Sequence, residues 1–114
     1  MLQGVEWWHG AHGQAAIAWS LGNFVFKNRD PEKRRTGLLE ASFARTAPDE
    51  APALEALAFI PMTIDATTFR PRPATDVEAR ATARALSERS LSFGTTVAAD
   101  GDRLVFEPGL GEAR

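Results

Sequence analysis

Apolar and polar residues alternate along most of this chain, a pattern that predicts β-strands more often than helices. Residues 2–8 and 14–21 alternate on either side of a glycine-containing turn at 9–13, which together predict a β-hairpin. In the second strand, Ile17 and Trp19 share one face with the other large residues, while small side chains occupy the opposite face. Since small side chains permit close approach, we expect that opposite face to pack tightly against another element.

Two longer alternating segments follow, at residues 37–45 and 53–64. Pro61 cannot donate a hydrogen bond to a neighbouring strand, so it predicts a sheet edge or a bulge within the second segment. Residues 65–74 are rich in Thr and Pro and predict irregular coil.

One helix is predicted near the C-terminus. Thr75 and Glu78 have the spacing of a capping box, and the helix is expected to run to about Phe93 and to stop at Gly94. An Asp-Gly pair at 100–101 between apolar runs then predicts a terminal hairpin. The expected fold class is therefore α+β: an antiparallel β-meander with one C-terminal helix and a terminal hairpin.

Composition narrows the possible functions. The chain has 114 residues, a formal net charge of −2 and no Cys, which excludes disulfides, thiolate metal sites and a Cys nucleophile. No apolar run reaches the roughly 18 residues of a transmembrane helix, so we expect no membrane span in this chain. The slightly acidic balance argues against nucleic acid as a partner.

Several residues could carry chemistry. His9 and His12 are three apart and could share a metal, but a closed metal site needs about four ligands, so a solvated turn is expected. The basic stretch 27–35 could contact an acidic polymer, with a solvated loop as the default expectation. Glu6 and Glu40 lie in predicted strands, where solvent-facing positions are expected.

The strongest signal is a series of short segments. Residues 2–8 read Leu-Gln-Gly-Val-Glu-Trp-Trp, and residues 18–26 read Ala-Trp-Ser-Leu-Gly-Asn-Phe-Val-Phe. This series resembles the C-terminal part of the CapA family of bacterial capsule and poly-γ-glutamate synthesis proteins. Segments 34–39 and 60–64 are also similar, so the resemblance covers roughly residues 2–93.

The family resembles calcineurin-type metallophosphatases, which form a four-layer αββα sandwich with a metal site at strand ends. The resemblance implies that residues 1–94 are the C-terminal segment of such a domain, with a terminal hairpin and tail at 95–114. The family's metal-site motifs, ending in Gly-His-His-Pro-His, would lie before Met1. We therefore expect no cofactor and no catalytic or metal-binding residue in this chain, with a divalent metal only in a full-length relative. The chain alone should be inactive, and its part in an enzyme stays open.

By the same resemblance, four residues would line the substrate beside the metal site: Gln3, Ser20, Gly22 and Asn23. A purely structural role in the turn is the alternative, because Gly and Asn both tolerate tight turns. The implied partners are the missing N-terminal part of the same domain and an anionic polymer. Full-length relatives are often membrane-associated or in the cell envelope, and the location of this chain stays open.

A partial domain should leave apolar surface uncovered. We expect an exposed apolar patch that includes some of Trp7, Trp8, Trp19 and Phe24. The alternative hypothesis is a free-standing, small β-rich binding module for an acidic or carbohydrate ligand, using the tryptophan-bearing hairpin or the arginine-rich loop.

Overall fold

A computed structural model describes residues 2–10, 13–22 and 32–108 of the chain. Its elements are β1 (Val5–Gly10), β2 (Gly13–Ala18), β3 (Arg35–Ala44), β4 (Ala53–Ile64), β5 (Pro71–Pro73), α1 (Asp76–Ser90), β6 (Thr95–Asp100) and β7 (Arg103–Pro108), with single 3-10 turns at Glu32–Arg34 and Leu91–Phe93. All strand pairs are antiparallel in the part of the chain described. The predicted α+β class, with one C-terminal helix and a terminal hairpin, is confirmed. No helix within these residues is long and apolar enough to cross a membrane.

Strands β1 and β2 form the predicted hairpin as a separate two-stranded sheet. Val5 and Trp7 are buried on its inner face, and the small side chains of Ala16 and Ala18 pack there against the core. The Trp7 indole Nε1 donates a hydrogen bond to the Phe106 carbonyl oxygen at 3.3 Å, which joins the hairpin to β7. The small-residue face therefore packs closely, as the alternation predicts.

The remaining strands form a second sheet in the order β3-β4-β7-β6, and β5 pairs with the C-terminal end of β4. On one side of β4, β7 pairs with residues 57–59 and β5 with residues 62–64. Pro61 lies between those two paired stretches. The irregularity expected at Pro61 is thus the gap between β7 and β5 along this side of β4. Neither β7 nor β5 needs a hydrogen bond from position 61, where proline has no N–H.

Strand β5 corrects the prediction of coil at residues 65–74. Asp65 accepts hydrogen bonds from the backbone amides of Thr67 and Thr68 at 2.8 and 2.9 Å, which turns the chain back along β4. Arg72 then pairs with Thr63 in the antiparallel ladder. The sequence pattern did not predict β5 because prolines occupy its first and last positions, and Pro normally argues against a strand.

A bulge in β4 changes which face Leu54 occupies. Simple alternation places Leu54 on the face opposite Leu57 and Phe59. The β3–β4 register shifts between Ser42 and Phe43, which leaves Glu55 as one extra residue in β4. Leu54, Leu57 and Phe59 consequently all join one core.

Helix α1 begins with the predicted capping box. The Thr75 hydroxyl accepts from the Glu78 amide, and the Glu78 carboxylate accepts from the Thr75 amide. The Arg72 guanidinium donates to both Glu78 carboxylate oxygens, at 2.6 and 2.9 Å, and to Asp65 at 3.3 Å. The Arg72 side chain is the main cause that holds the pKa of Glu78 at about 2. This ion cluster fixes the start of the helix against β5.

The α-helical part of α1 is followed by one 3-10 turn, Leu91–Phe93. Gly94 then adopts a left-handed conformation with φ of 71°. The predicted stop at Gly94 is confirmed. The predicted terminal hairpin is β6 and β7, with Gly101 at φ of 64° in its turn. It hydrogen-bonds to β4 through β7. The division of the chain at residue 94 stays a prediction.

The core lies between the hairpin, the helix and the second sheet. Its ring pair, Phe59 and Phe106, meets edge to face at 6.4 Å. The buried cluster consists of Leu2, Val5, Trp7, Leu54, Leu57, Phe59, Leu86, Leu104 and Phe106. These residues come from both ends of the chain, so the hairpin is held by side chains that follow it by up to a hundred positions.

Candidate functional site

The open end of the β1–β2 hairpin gathers three of the four residues that the resemblance assigns to substrate. The Gln3 amide donates to the Ser20 carbonyl oxygen at 3.0 Å, and the Gly22 amide donates to the Ser20 hydroxyl at 3.2 Å. Asn23 lies outside the described residues. Gln3, Ser20 and Gly22 are therefore neighbours, and their assignment to substrate stays a prediction.

Gly22 is required by the backbone at this point. Its φ is 78°, a left-handed conformation, and a Cβ built on it would lie 2.7 Å from the Arg35 carbonyl oxygen. Leu21 forms an isolated bridge with Leu2, and its carbonyl oxygen accepts from the Thr36 hydroxyl at 3.0 Å. A structural role accounts for Gly22 without any ligand, while Gln3 has an exposed side chain that such a role does not use.

Gln3 lies on the wall of a groove of about 550 Å³ between the hairpin and the end of α1. The groove is lined by Gln3, Gly4, Trp19, Arg89, Ser92 and Phe93. Its volume falls within the roughly 300–1,000 Å³ of sites that hold small ligands. We call this the Gln3 groove.

One wall of the Gln3 groove is aromatic. The Trp19 and Phe93 rings stack with centroids 6.2 Å apart and an angle of 20° between their planes. Trp19 is nevertheless 56% exposed, so much of its indole surface faces solvent. An exposed indole offers a flat apolar surface together with an N–H donor.

Another part of the lining is polar and carries positive charge. Arg89 NH1 donates to the Leu2 carbonyl oxygen at 2.7 Å, which orients the guanidinium beside β1. A guanidinium has five N–H donors in a planar fork and suits a carboxylate. Among the lining residues that the structure describes, Arg89 is the one with a charged side chain.

Close contact between backbones holds the two walls together. A Cβ built on Gly4 would lie 2.2 Å from the Arg89 carbonyl oxygen, so only glycine permits this approach of β1 to α1. The Val5 amide donates to the buried Ser90 hydroxyl at 3.0 Å. The geometry of the Gln3 groove is therefore fixed by main-chain packing and by a buried hydrogen bond.

The other candidates from the sequence do not converge. Glu6 is buried, at 8% exposure, which corrects the solvent-facing position expected from the sequence. Glu6 and His9 are three apart in β1, so their side chains leave opposite faces of the strand, and His12 lies outside the described residues. Residues 2–10, 13–22 and 32–108 contain no group of three His, Asp or Glu side chains placed to hold a metal.

Two further predicted features have structural outcomes. Glu40 forms an exposed ion pair with Arg103, with 3.0 Å between Oε1 and Nε. Most of the basic stretch 27–35 lies outside the described residues, so its role stays a prediction. A second groove, of about 520 Å³, contains Asp76, Arg80 and Arg103, but its charges are mixed and Arg103 is already paired.

The exposed apolar patch expected from the sequence is present. Trp8 is 47% exposed and Trp19 56% exposed, while Trp7 is only 5% exposed. Phe24 lies outside the described residues. The prediction is confirmed for Trp8 and Trp19, and Ile17 adds to the same outer face of the hairpin at 39% exposure.

Comparison with known proteins yields no match to this chain: no protein-family model, no curated protein and no solved structure is similar to it.

The sequence did not indicate Arg89, Ser92 or Phe93 as site residues. Nothing in the local pattern at the end of α1 distinguishes them, because they meet the hairpin across about 85 positions of chain. Gly4 was the available signal, since a glycine within a strand pattern often marks a close approach of another backbone.

Proposed function

We propose that this chain is the C-terminal segment of a CapA-like protein of capsule or poly-γ-glutamate synthesis, inactive alone and completed by the rest of its domain. One observation supports this most: the outer face of the hairpin is apolar and exposed at Trp8 and Ile17. Of the segments that resemble the family, 2–8 overlaps β1 and 18–26 begins at the last residue of β2. An exposed apolar face on the relevant strands is the surface that a sandwich partner would cover.

The register places the two large side chains in adjacent rows of one face, because Trp8 lies opposite Ala15 and Ile17 lies opposite Glu6. Glu6 shares this face and is buried, at 8% exposure. Full burial of each large side chain would contribute roughly 1.5–3 kcal/mol. We call Trp8 and Ile17 the outer strip. Trp19 is not included, because it stacks on Phe93 at the Gln3 groove.

In this proposal the chain supplies a wall of the site and not its reactive groups. The metal-binding residues belong to the rest of the domain, and the metal would activate water and stabilise phosphate oxygens there. Gln3, Ser20 and Gly22 would face substrate from the hairpin end, with Asn23 next in the chain.

The first test is the DNA immediately upstream of the codon for Met1. The proposal predicts a coding segment, in frame or in an adjacent frame, that carries the metal-site motifs and ends in Gly-His-His-Pro-His. An upstream region with no such coding segment would refute the proposal.

The second test is physical association. Co-expressed with that upstream segment, the chain should purify as a one-to-one complex with metal-dependent phosphoesterase activity that neither part has alone. A Trp8→Ser, Ile17→Ser double variant should lose co-purification, whereas Val77→Ser, at a 74% exposed helix position, should retain it. Equal loss in both variants would show that the outer strip is not the contact surface.

A second candidate function is favoured by the Gln3 groove. A free-standing binding module for an acidic or carbohydrate ligand needs an exposed aromatic platform with polar groups beside it, and Trp19, Arg89 and Gln3 provide these. A chain that is monomeric, binds such a ligand and has no upstream coding segment would favour this candidate over the first.

A further inference from the structure

The Gln3 groove presents an exposed aromatic ring beside two uncharged polar side chains. The Trp19 indole is 56% exposed, and its stacking on Phe93, with 20° between the ring planes, fixes how the indole is oriented. Gln3 and Ser92 line the same groove and are exposed to solvent. An amide and a hydroxyl both donate and accept hydrogen bonds. A single ligand could therefore stack on the ring and exchange hydrogen bonds with both polar groups.

The described lining of the groove offers no open charge to pair with an ion. Arg89 is its charged residue, and the guanidinium is already engaged within the chain, where NH1 donates to the Leu2 carbonyl oxygen at 2.7 Å. An ion that entered the groove would give up hydration without gaining an opposite charge, which is unfavourable. The ligand that suits these walls is therefore uncharged.

We propose that the Gln3 groove binds a neutral sugar ring whose hydroxyls are all equatorial, such as a glucose unit. Both faces of such a ring present axial C–H groups, which pack against a flat indole and bury apolar surface. Its hydroxyls point outward around the rim, where they exchange hydrogen bonds with the Gln3 amide and the Ser92 hydroxyl. The sugar thus uses both kinds of surface that the groove presents.

Other ligands that stack on an indole use only part of the groove. A purely apolar molecule would pack on Trp19 but would leave Gln3 and Ser92 to water. A nucleotide would stack through its base, but its phosphate would find no open cation on the described lining. A neutral sugar is the ligand that matches the aromatic and the polar groups together.

Sugar binding rests on the second candidate function, in which the Gln3 groove is a ligand site, and it narrows that ligand to a neutral sugar. It does not depend on the CapA-like proposal, because all the lining residues belong to this chain. An upstream region without a coding segment would refute the CapA-like proposal alone. A failure to bind sugar would leave that proposal unchanged.

The test is calorimetric titration of the full chain with cellotriose, a neutral trimer of β-linked glucose. The charged comparison is the corresponding trimer of glucuronate, which keeps the ring shape and adds a carboxylate to each unit. Cellotriose should bind at millimolar concentration, and the glucuronate trimer should bind no more tightly. No binding of cellotriose at millimolar concentration would overturn the proposal. Tighter binding of the charged trimer would also overturn it, while the second candidate function would survive with an acidic ligand.

Matched tryptophan variants on one hairpin assign the binding to the groove. Trp19→Ala should weaken cellotriose binding about tenfold or more, because the stacking surface is lost, whereas Trp8→Ala should leave binding unchanged. Trp8 pairs with Ala15, four residue pairs along the hairpin from Gly4 and Trp19, which places it about 13 Å from the groove. Equal weakening by both variants would remove the groove as the site.

The exposed glutamines of the hairpin give a second, milder comparison. Gln3→Ala should weaken cellotriose binding about three- to tenfold through the loss of an uncharged hydrogen bond, whereas Gln14→Ala, near the turn at the other end of the hairpin, should not. Far-UV circular dichroism checks that every variant folds. Unchanged binding by Gln3→Ala would contradict the role of its amide and overturn the proposal. Tighter binding of adenosine than of cellotriose would assign the groove to a flat aromatic ring, with the same consequence.

Discussion

Gly4→Ala tests whether the contact between β1 and the end of α1 holds the fold and the groove together. The added Cβ would lie 2.2 Å from the Arg89 carbonyl oxygen, 2.6 Å from its carbon and 3.0 Å from the Ser90 Cα. All three are main-chain atoms, so no side-chain rotation relieves the overlap. Moving from 2.2 Å to an ordinary contact of 3.4 Å requires the helix end to retreat by about 1.2 Å.

The expected cost has two parts. Overpacking in a tightly packed region costs about 1–3 kcal/mol. A retreat of this size also breaks the 3.0 Å hydrogen bond from the Val5 amide to the Ser90 hydroxyl, and a buried amide without an acceptor costs about 1–3 kcal/mol. Because both follow from one movement and partly overlap, we expect Gly4→Ala to lower the free energy of unfolding by about 2–4 kcal/mol.

Urea unfolding followed by far-UV circular dichroism measures this change. The matched control is Gly101→Ala, where φ is 64° but nothing lies within 4 Å of the added Cβ. That control should cost about 1–2 kcal/mol, from the left-handed conformation alone. If Gly4→Ala proved no more destabilising than Gly101→Ala, the contact of Gly4 with the end of α1 would not stabilise the fold.

Three further outcomes are expected. Ser90→Ala should destabilise the chain by about 1–2 kcal/mol in urea unfolding, because it leaves the Val5 amide buried without its acceptor, and an unchanged midpoint would contradict this. Glu78→Gln should lower thermal stability by about 1 kcal/mol at pH 7. Because the Glu78 pKa is lowered from 4.5 to about 2, the stabilisation by its carboxylate is complete above pH 4.5 and is lost as the pH falls toward 2. The difference in thermal stability between wild type and variant should therefore shrink over that pH range. A difference that stays constant with pH would refute this prediction. Replacing Trp8 and Trp19 together by Phe should shift tryptophan emission to the blue and reduce acrylamide quenching, because the buried Trp7 then emits alone; undiminished quenching would show that Trp7 is accessible.

Local signals in the sequence were sufficient for most elements. Alternation identified the β1–β2 hairpin, and the Thr75–Glu78 spacing identified the start of α1, because each pattern reflects contacts within a few residues of chain. Where the local signal conflicted with pairing across the sheet, the prediction failed. Glu55 is an extra residue in the β4 ladder. This bulge follows from the register between β4 and β3, so the sequence pattern of β4 alone does not predict it.

The prolines of β5 show the same limit more clearly. The Ala74 amide donates to the Pro61 carbonyl oxygen, so it points toward β4. Alternation along the strand then directs the amide of Arg72 the same way and the ring nitrogens of Pro71 and Pro73 away from β4. A strand with proline at every second position loses no ladder hydrogen bond on its paired side. Composition alone predicts coil there, and only the position of the neighbouring strand makes the segment a strand.

The candidate site also depends on contacts between residues that are far apart in the chain. The resemblance indicated Gln3 and Ser20 from neighbouring segments, and the hairpin does bring them together. Arg89 lies beside Gln3 because Gly4 allows close contact between the backbone of the hairpin and that of α1. The contacting residues are more than 80 positions apart, so the local sequence pattern of neither segment predicts the contact. A glycine within a strand pattern indicates that something approaches closely, but not which residue it is. The groove residues at the end of α1 therefore had to come from the structure, whereas Gln3 and the exposed Trp19 were predicted from the sequence.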